Sequence, residues 1–206
     1  MIRIDISSKL IHLTRTVDGV PAEQRFQSIL AEGILKGSSR DVRGCFKVVA
    51  FTEAPVGMLA SVLANAGALN MRYAPLGVMV DKIWLYKRGG RPVIYQPNGE
   101  FDDLPESKKH LHVRYEPDRE IDYSWEREWR IKTDALELDH ESTTIIAPSR
   151  SWEQKYHDEH TTRQSRGAFA MGGVYPMRRP KWHFVILEDL GIPFESLEPV
   201  SFQDAT

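Results

Sequence analysis

An α+β protein with a mixed, mostly antiparallel sheet and flanking helices is the fold class this sequence predicts. Three observations lead there. Short runs rich in β-branched and aromatic residues recur along the chain, as in Phe46 to Glu53, Thr143 to Ala147 and Trp182 to Leu187. Amphipathic stretches fall between some of them without the strict strand–helix–strand rhythm of a parallel sheet. Neither GxGxxG after a strand nor GxxxxGK[ST] occurs, which disfavours a Rossmann or P-loop nucleotide site.

Taken in order, Lys9 to Thr14 reads as a first strand, with Leu10, His12 and Thr14 on one face. Pro21 to Leu35 reads as a helix whose stripe is Phe26, Ile29, Leu30 and Ile34, with Pro21 at its start. Gly37 to Gly44 is a polar loop, and Phe46 to Glu53 a second strand. Pro55 opens an Ala/Leu/Met helix to about Asn70, followed by an apolar strand from Tyr73 to Val80. Asp81 to Arg88 forms one or two helical turns closed by Gly89-Gly90, and Arg91 to Gln96 returns as a strand. Pro97 to Pro117 is polar and mixed, with an irregular loop expected in its first half. A Glu-rich strand comes next, then Thr143 to Ala147, a charged helix from Pro148 to Gln164, a Gly/Pro/Arg-rich loop over Ser165 to Pro180, and a last strand from Trp182 to Leu187.

With 206 residues the chain fits a single domain, 1–206, large enough to bury its own core. A net charge of −2 gives no global pull toward nucleic acid or a membrane. One cysteine, Cys45, leaves no internal disulfide and points to a reducing, cytoplasmic setting. There is no charged start leading into an apolar run, and no stretch of about 20 apolar residues, so no membrane partner is expected. No CxxC pair or HExxH is present, so no metal is expected; His157 and His160 beside Asp158 and Glu159 read as a solvated helix face.

The segment Trp125-Glu126-Arg127-Glu128-Trp129-Arg130 stands out chemically. As a strand it would send Glu126, Glu128 and Arg130 to one face and Arg127, Trp129 and Ile131 to the other. Two carboxylates about 7 Å apart are costly to bury for packing alone, and they suit a ribose hydroxyl or a developing positive charge. A surface salt-bridge network would use the same pattern.

Several segments together carry a resemblance. Leu10-Ile11-His12-Leu13-Thr14, Gly33 after Ile29-Leu30, Phe51-Thr52-Glu53-Ala54-Pro55, Gly77, Asp81-Lys82, Pro92-Val93-Ile94-Tyr95 and the Glu-rich strand look like the abortive phage-resistance family AbiGi. The likeness runs from about Lys9 to Pro148, and the FTEAP and WEREWR segments are its most specific parts. The opening strand and helix also resemble the start of ADP-ribosyltransferase-type folds. That resemblance implies a split-sheet fold, NAD as cofactor and a nucleotide-type ligand. It implies His12, with Thr14 beside it, on the ribose, and Thr52 or alternatively Tyr73 bracing the nicotinamide side. Glu128 would be the catalytic residue and Glu126 its partner, and Arg130 would pair with a phosphate or hold Glu128. Phe51-Thr52-Glu53 stands where such transferases carry an STS-type motif.

Each residue also has a plainer reading. His12 fits a hydrogen-bonded core histidine, Glu53 a helix cap, Thr52 a β-former, and Tyr73 and Tyr95 core tyrosines. Trp84, Trp125, Trp129 and Trp182 fit core or rim positions, and Cys45 has no neighbouring His to activate it. Three functions are therefore carried forward. One is a phage-defence or toxin–antitoxin component that binds NAD or a nucleotide and transfers or hydrolyses ADP-ribose. Another is a non-enzymatic antitoxin-like protein that binds a cognate toxin. A third is a nucleic-acid binder using Arg163, Arg166, Arg178, Arg179 and Lys181. Convergence of His12, Thr52 and Glu128 on one cleft is the spatial expectation of the enzyme reading.

Overall fold

Lys9–Leu13 (β1) is the middle strand of a seven-stranded sheet, and the rest of the fold is arranged on its two faces. The structure, a computed structural model, describes residues 6–64, 73–156 and 182–191. After β1 come Ala22–Glu32 (α1), Ile34–Lys36 (β2), Val48–Thr52 (β3), Val56–Ala64 (α2), Gly77–Asp81 (β4) and Lys82–Lys87 (α3). Arg91–Pro92 (β5), Ile94–Gln96 (β6), His112–Arg114 (β7), Glu128–Lys132 (β8), Ala135–Glu137 (β9) and Thr143–Ala147 (β10) follow, then a helix over 150–156 (α4) and His183–Ile186 (β11). The sheet order is β11-β10-β4-β1-β3-β8-β5. All its pairings are antiparallel except β10 with β11, so the fold is α+β with a mixed, mostly antiparallel sheet. Among the described residues, no helix is long and apolar enough to cross a membrane.

Cross-strand partners share a face, so the register sorts the side chains. Ile11 lies opposite Thr52 and Met79, Thr52 opposite Glu128, and Ala50 opposite Arg130. These residues form one face. Leu10, His12, Val49, Phe51, Val78, Val80, Trp129 and Ile131 form the other. The second face is the main core, closed by Phe26 of α1, Leu85 of α3, and Trp152 and Tyr156 of α4. On the first face α2 packs Leu59, Ala60 and Leu63 against Ile11 and Ile146. Its apolar cover is centred on β1 and β10, and the β3–β8 part of that face carries Thr52, Glu128 and Arg130 instead.

Outside the Glu-rich run, three segments depart from the sequence expectation. Gly33 adopts φ 67° and returns its N–H to the Ile29 carbonyl at 2.8 Å, which ends α1 before Ile34. Ile34 and Leu35, which continue the helical stripe in sequence, instead pair as β2 with β9. The run Arg91 to Gln96 is broken at Val93: Pro92 holds the edge of the large sheet, while β6 leaves to pair in parallel with β7. Within Pro97 to Pro117 the first half, expected as a loop, contains a 3-10 turn at Asn98–Asp103, and the second half a 3-10 turn at Lys109–Leu111 followed by β7. The helix expected to Asn70 is described to Ala64, and the one expected to Gln164 is described over 150–156; the remainder of each lies outside the described residues, as does the loop over Ser165 to Pro180.

Gly77 shows how tightly β4 meets β1. A Cβ there would sit 2.3 Å from the His12 carbonyl oxygen, which is backbone and has nowhere to go. Gly77→Ala should lower stability by about 2 kcal/mol or more, read as a drop in the urea midpoint. A midpoint equal to that of the parent would contradict this packing.

Candidate active site

The Glu-rich segment is not one strand. Asp122 accepts the Ser124 N–H at 2.8 Å and its hydroxyl at 2.6 Å, which starts a 3-10 turn over Ser124–Glu126. Glu126 N–H returns to the Tyr123 carbonyl at 3.0 Å. Arg127 then takes φ 45° and ψ 51°, a left-handed conformation uncommon outside glycine, and β8 begins only at Glu128. Strand alternation therefore holds for Glu128 and Arg130 and fails for Glu126, which arrives on a turn.

Glu128 is held by Arg130. The guanidinium Nε meets one carboxylate oxygen at 2.7 Å and Nη2 meets the other at 3.2 Å. Nη1 donates to the carbonyls of His110 and His112 at 3.2 and 2.9 Å. Four of the five guanidinium N–H groups are thus engaged, and the side chain is only 7% exposed. Of the two roles considered for Arg130, this geometry is that of a support for Glu128 rather than of a phosphate ligand.

Hydroxyls fix the turn that carries Glu126. Thr52, opposite Glu128 in the sheet, donates to the Glu126 carbonyl and accepts the Ala54 N–H at 3.1 Å. Tyr95 accepts the Glu128 N–H at 3.1 Å and donates to the Tyr123 carbonyl at 3.3 Å. The carboxylate oxygens of Glu53 take Lys82 at 2.5 Å and the Trp129 indole N–H at 2.8 Å, and its own N–H goes to the Arg127 carbonyl at 3.2 Å. A cavity of about 320 Å³ opens beside this cluster, walled by Glu53, Pro92, Tyr95, Arg127, Glu128 and Trp129.

Two groups near the turn, Glu126 and Tyr73, are shifted in proton affinity. Burial, and then the neighbouring Glu128 carboxylate, push the Glu126 carboxyl up to about 7, against the opposing pull of Arg130 and Arg15. Tyr73 is pushed up to about 12, mainly by burial and then by the negative charge of Glu126, with Glu128 and Asp41 adding to it and Arg15 opposing. Tyr73 thus belongs to the electrostatic neighbourhood of both glutamates. Arg15, which the sequence pattern did not single out, acts on Glu126 and on Tyr73, and it pairs with Asp41 at 2.9 Å. The available signal was its position directly after the His12–Thr14 strand.

His12 does not join the carboxylates. Alternation puts it on the opposite face, where its ring meets Phe51 edge-on at 5.8 Å. Its Nδ1 donates to the Ala50 carbonyl at 2.8 Å, and burial lowers its pKa, so the ring is neutral. Arg15 also depresses the charged form of His12, which makes it the one named cation whose field reaches His12, Tyr73 and Glu126 alike. Thr14 is buried, and its hydroxyl donates to the Leu76 carbonyl at 2.9 Å. Of His12, Thr52 and Glu128, only Glu128 walls the cavity; Thr52 lies opposite it in the sheet, and Glu126 and Tyr73 are linked to it electrostatically. His157, His160 and the basic residues Arg163, Arg166, Arg178, Arg179 and Lys181 lie outside the described residues.

Two predictions follow from this geometry. Removing one partner of a buried ion pair strands the other, so Arg130→Ala should cost about 3 kcal/mol or more in chemical unfolding. For Glu126, the folded chain binds the proton more tightly than the unfolded chain, whose carboxyl ionises near 4.5. That contribution is present below about 4.5 and is lost as pH rises through about 7. Stability should thus fall across that interval by on the order of 2 kcal/mol, and Glu126→Gln should remove the fall. An identical pH dependence in the variant would contradict a raised Glu126.

No family model, curated protein or solved structure matches the chain.

Proposed function

We propose that this chain cleaves the C–N glycosidic bond of NAD or a related nucleotide, as a glycohydrolase or an ADP-ribosyltransferase, within a phage-defence or toxin–antitoxin setting. One observation carries the reading. Two neighbouring glutamates sit in different settings, Glu128 bonded through both carboxylate oxygens to Arg130 and Glu126 raised to about 7 by burial and by Glu128. The resemblance of FTEAP and WEREWR to AbiGi, and of the opening strand to ADP-ribosyltransferase-type split-sheet folds, supplies the biological setting and NAD as the ligand.

The chemistry assigned to each side chain is specific. Glu128 accepts a hydrogen bond from a ribose hydroxyl, and its negative charge stabilises the oxocarbenium-like state as the C1′–N bond breaks. The bonding electrons leave with the pyridinium nitrogen, which becomes neutral nicotinamide. Water or an acceptor group then forms the new bond to C1′, and its proton passes to Glu126, whose affinity near neutrality suits a general base. Thr52 and Tyr73 border this reaction centre, Thr52 through the turn it fastens. His12 and Thr14 contribute on this scheme by holding β1 in place and do not touch the ribose.

A partner-binding reading draws on one feature, the outward side chains of α3. Ile83 is 60% exposed and Tyr86 49% exposed, an apolar pair suited to a cognate toxin. Co-purification with a neighbour-encoded protein, together with no heat of NAD binding in calorimetry, would favour that alternative.

Nicotinamide release from NAD, or label transfer to an acceptor, is the direct assay. Glu128→Gln should lower turnover by about 10²-fold or more while the circular dichroism spectrum stays unchanged. Full activity in that variant would remove Glu128 from the mechanism and the proposal with it.

A further inference from the structure

We infer that Tyr95 is a positioning residue of the carboxylate pair: its hydroxyl fixes the spacing between the turn that carries Glu126 and the strand that carries Glu128. This rests on the glycosidic-bond reading for its catalytic meaning, though not for its geometry.

Tyr95 lies on β6, outside the large sheet, yet its hydroxyl reaches back to both acidic segments. As acceptor it takes the Glu128 N–H at 3.1 Å, at the first residue of β8. As donor it reaches the Tyr123 carbonyl at 3.3 Å. That same carbonyl accepts the Glu126 N–H at 3.0 Å, closing the turn. One oxygen therefore links the two backbones on either side of Arg127, whose left-handed conformation is the hinge between the glutamates. Strand pairing alone does not give this constraint, because Glu126 stands outside the ladder and β5, the neighbour of β8 at this edge, is only two residues long.

The ring is braced as well. Tyr95 meets Tyr115 edge-on with centroids 6.4 Å apart, and it walls the cavity shared by Glu53 and Glu128. A phenylalanine would keep the ring contact and lose only the bridge. With the bridge gone, Thr52 and the Glu53 N–H still hold the Glu126 and Arg127 carbonyls, but Tyr123 is no longer tied to the start of β8, so the turn shifts away from Glu128, the carboxylates separate, and solvent reaches Glu126. Both changes favour the anion of Glu126.

The test compares Tyr95→Phe with the parent full-length chain by two readouts that need no turnover. The first is the titration of Glu126 followed by carboxyl carbon NMR, assigned with Glu126→Gln. In Tyr95→Phe the midpoint should fall from near neutrality toward the ordinary carboxylate range. The second is hydrogen exchange at the Glu128 amide, which should speed up by about tenfold on loss of its acceptor. If NAD is turned over, the acid limb of the kcat profile should move to lower pH with KM for NAD altered by no more than about threefold. An unchanged Glu126 midpoint, or an unchanged Glu128 exchange rate, overturns the inference. So does general unfolding of Tyr95→Phe, which would make the hydroxyl a support for the whole fold. Absence of NAD turnover in the parent, with both structural readouts shifted as expected, would instead count against the proposed reaction and leave the positioning role standing.

Discussion

The buried pair of Glu128 and Arg130 is the interaction on which the rest of this region depends. Taking two such charges out of water costs several kcal/mol each, and a pair recovers that only when its geometry is good and its remaining donors are matched. Here the contact is two-pronged, and the far side of the guanidinium is satisfied by the carbonyls of His110 and His112. Those carbonyls belong to the segment entering β7, so the pair also dictates where the small β6–β7 sheet sits. β6 in turn delivers Tyr95 to the start of β8. A local requirement, that one arginine lose no hydrogen bond, thereby orders a layer over the sheet.

The sheet separates two kinds of polar work. The strands β1 and β3 pair at Ile11 with Thr52, and farther along Ser38 replaces β1 as the partner of Val48, exchanging hydrogen bonds of 2.9 and 3.1 Å. The imidazole of His12 takes the Ala50 carbonyl at this opening. A buried carbonyl without a donor is costly, and a neutral histidine meets that need. On the opposite face, the same strand β3 presents Thr52 to the turn of Glu126. The histidine therefore supports the strand whose other side carries the acidic site, an indirect relation with Arg15 as their shared electrostatic neighbour.

Period-two reasoning identified β1, β3, β10 and β11 and the pairing of Glu128 with Arg130 on one face, because side-chain alternation in a buried strand is written directly in the residue types. It failed at Glu126, since nothing in the pattern WEREWR signals that an arginine will adopt a left-handed conformation. Asp122 and Ser124, which form the hydrogen-bonded turn, were the available cue. It failed again at Ile34-Leu35, where an apolar stripe continued past a glycine that ends the helix. The placement of His12 could not follow from alternation within β1 alone, because the face of one strand has meaning only relative to the register of its neighbours. Tyr95 was legible as a candidate polar residue but not in its role, and Arg15 was not legible at all, because each acts through partners distant in sequence, Tyr95 on Glu128 and Tyr123, Arg15 on Asp41.

The edge strand β5 has a consequence for self-association. An open sheet edge normally offers a ladder of free donors and acceptors on which a second chain can build, and this one borders the cavity beside Glu128. Pro92 has no N–H to offer, the Val93 N–H is already given to Glu128 at 3.0 Å, and Arg91 folds back onto Tyr86, donating to its carbonyl and to that of Gly90. A blunted edge of this kind is a poor template for another strand. Extension of the sheet by a second copy of the chain is thereby disfavoured at the mouth of the cavity.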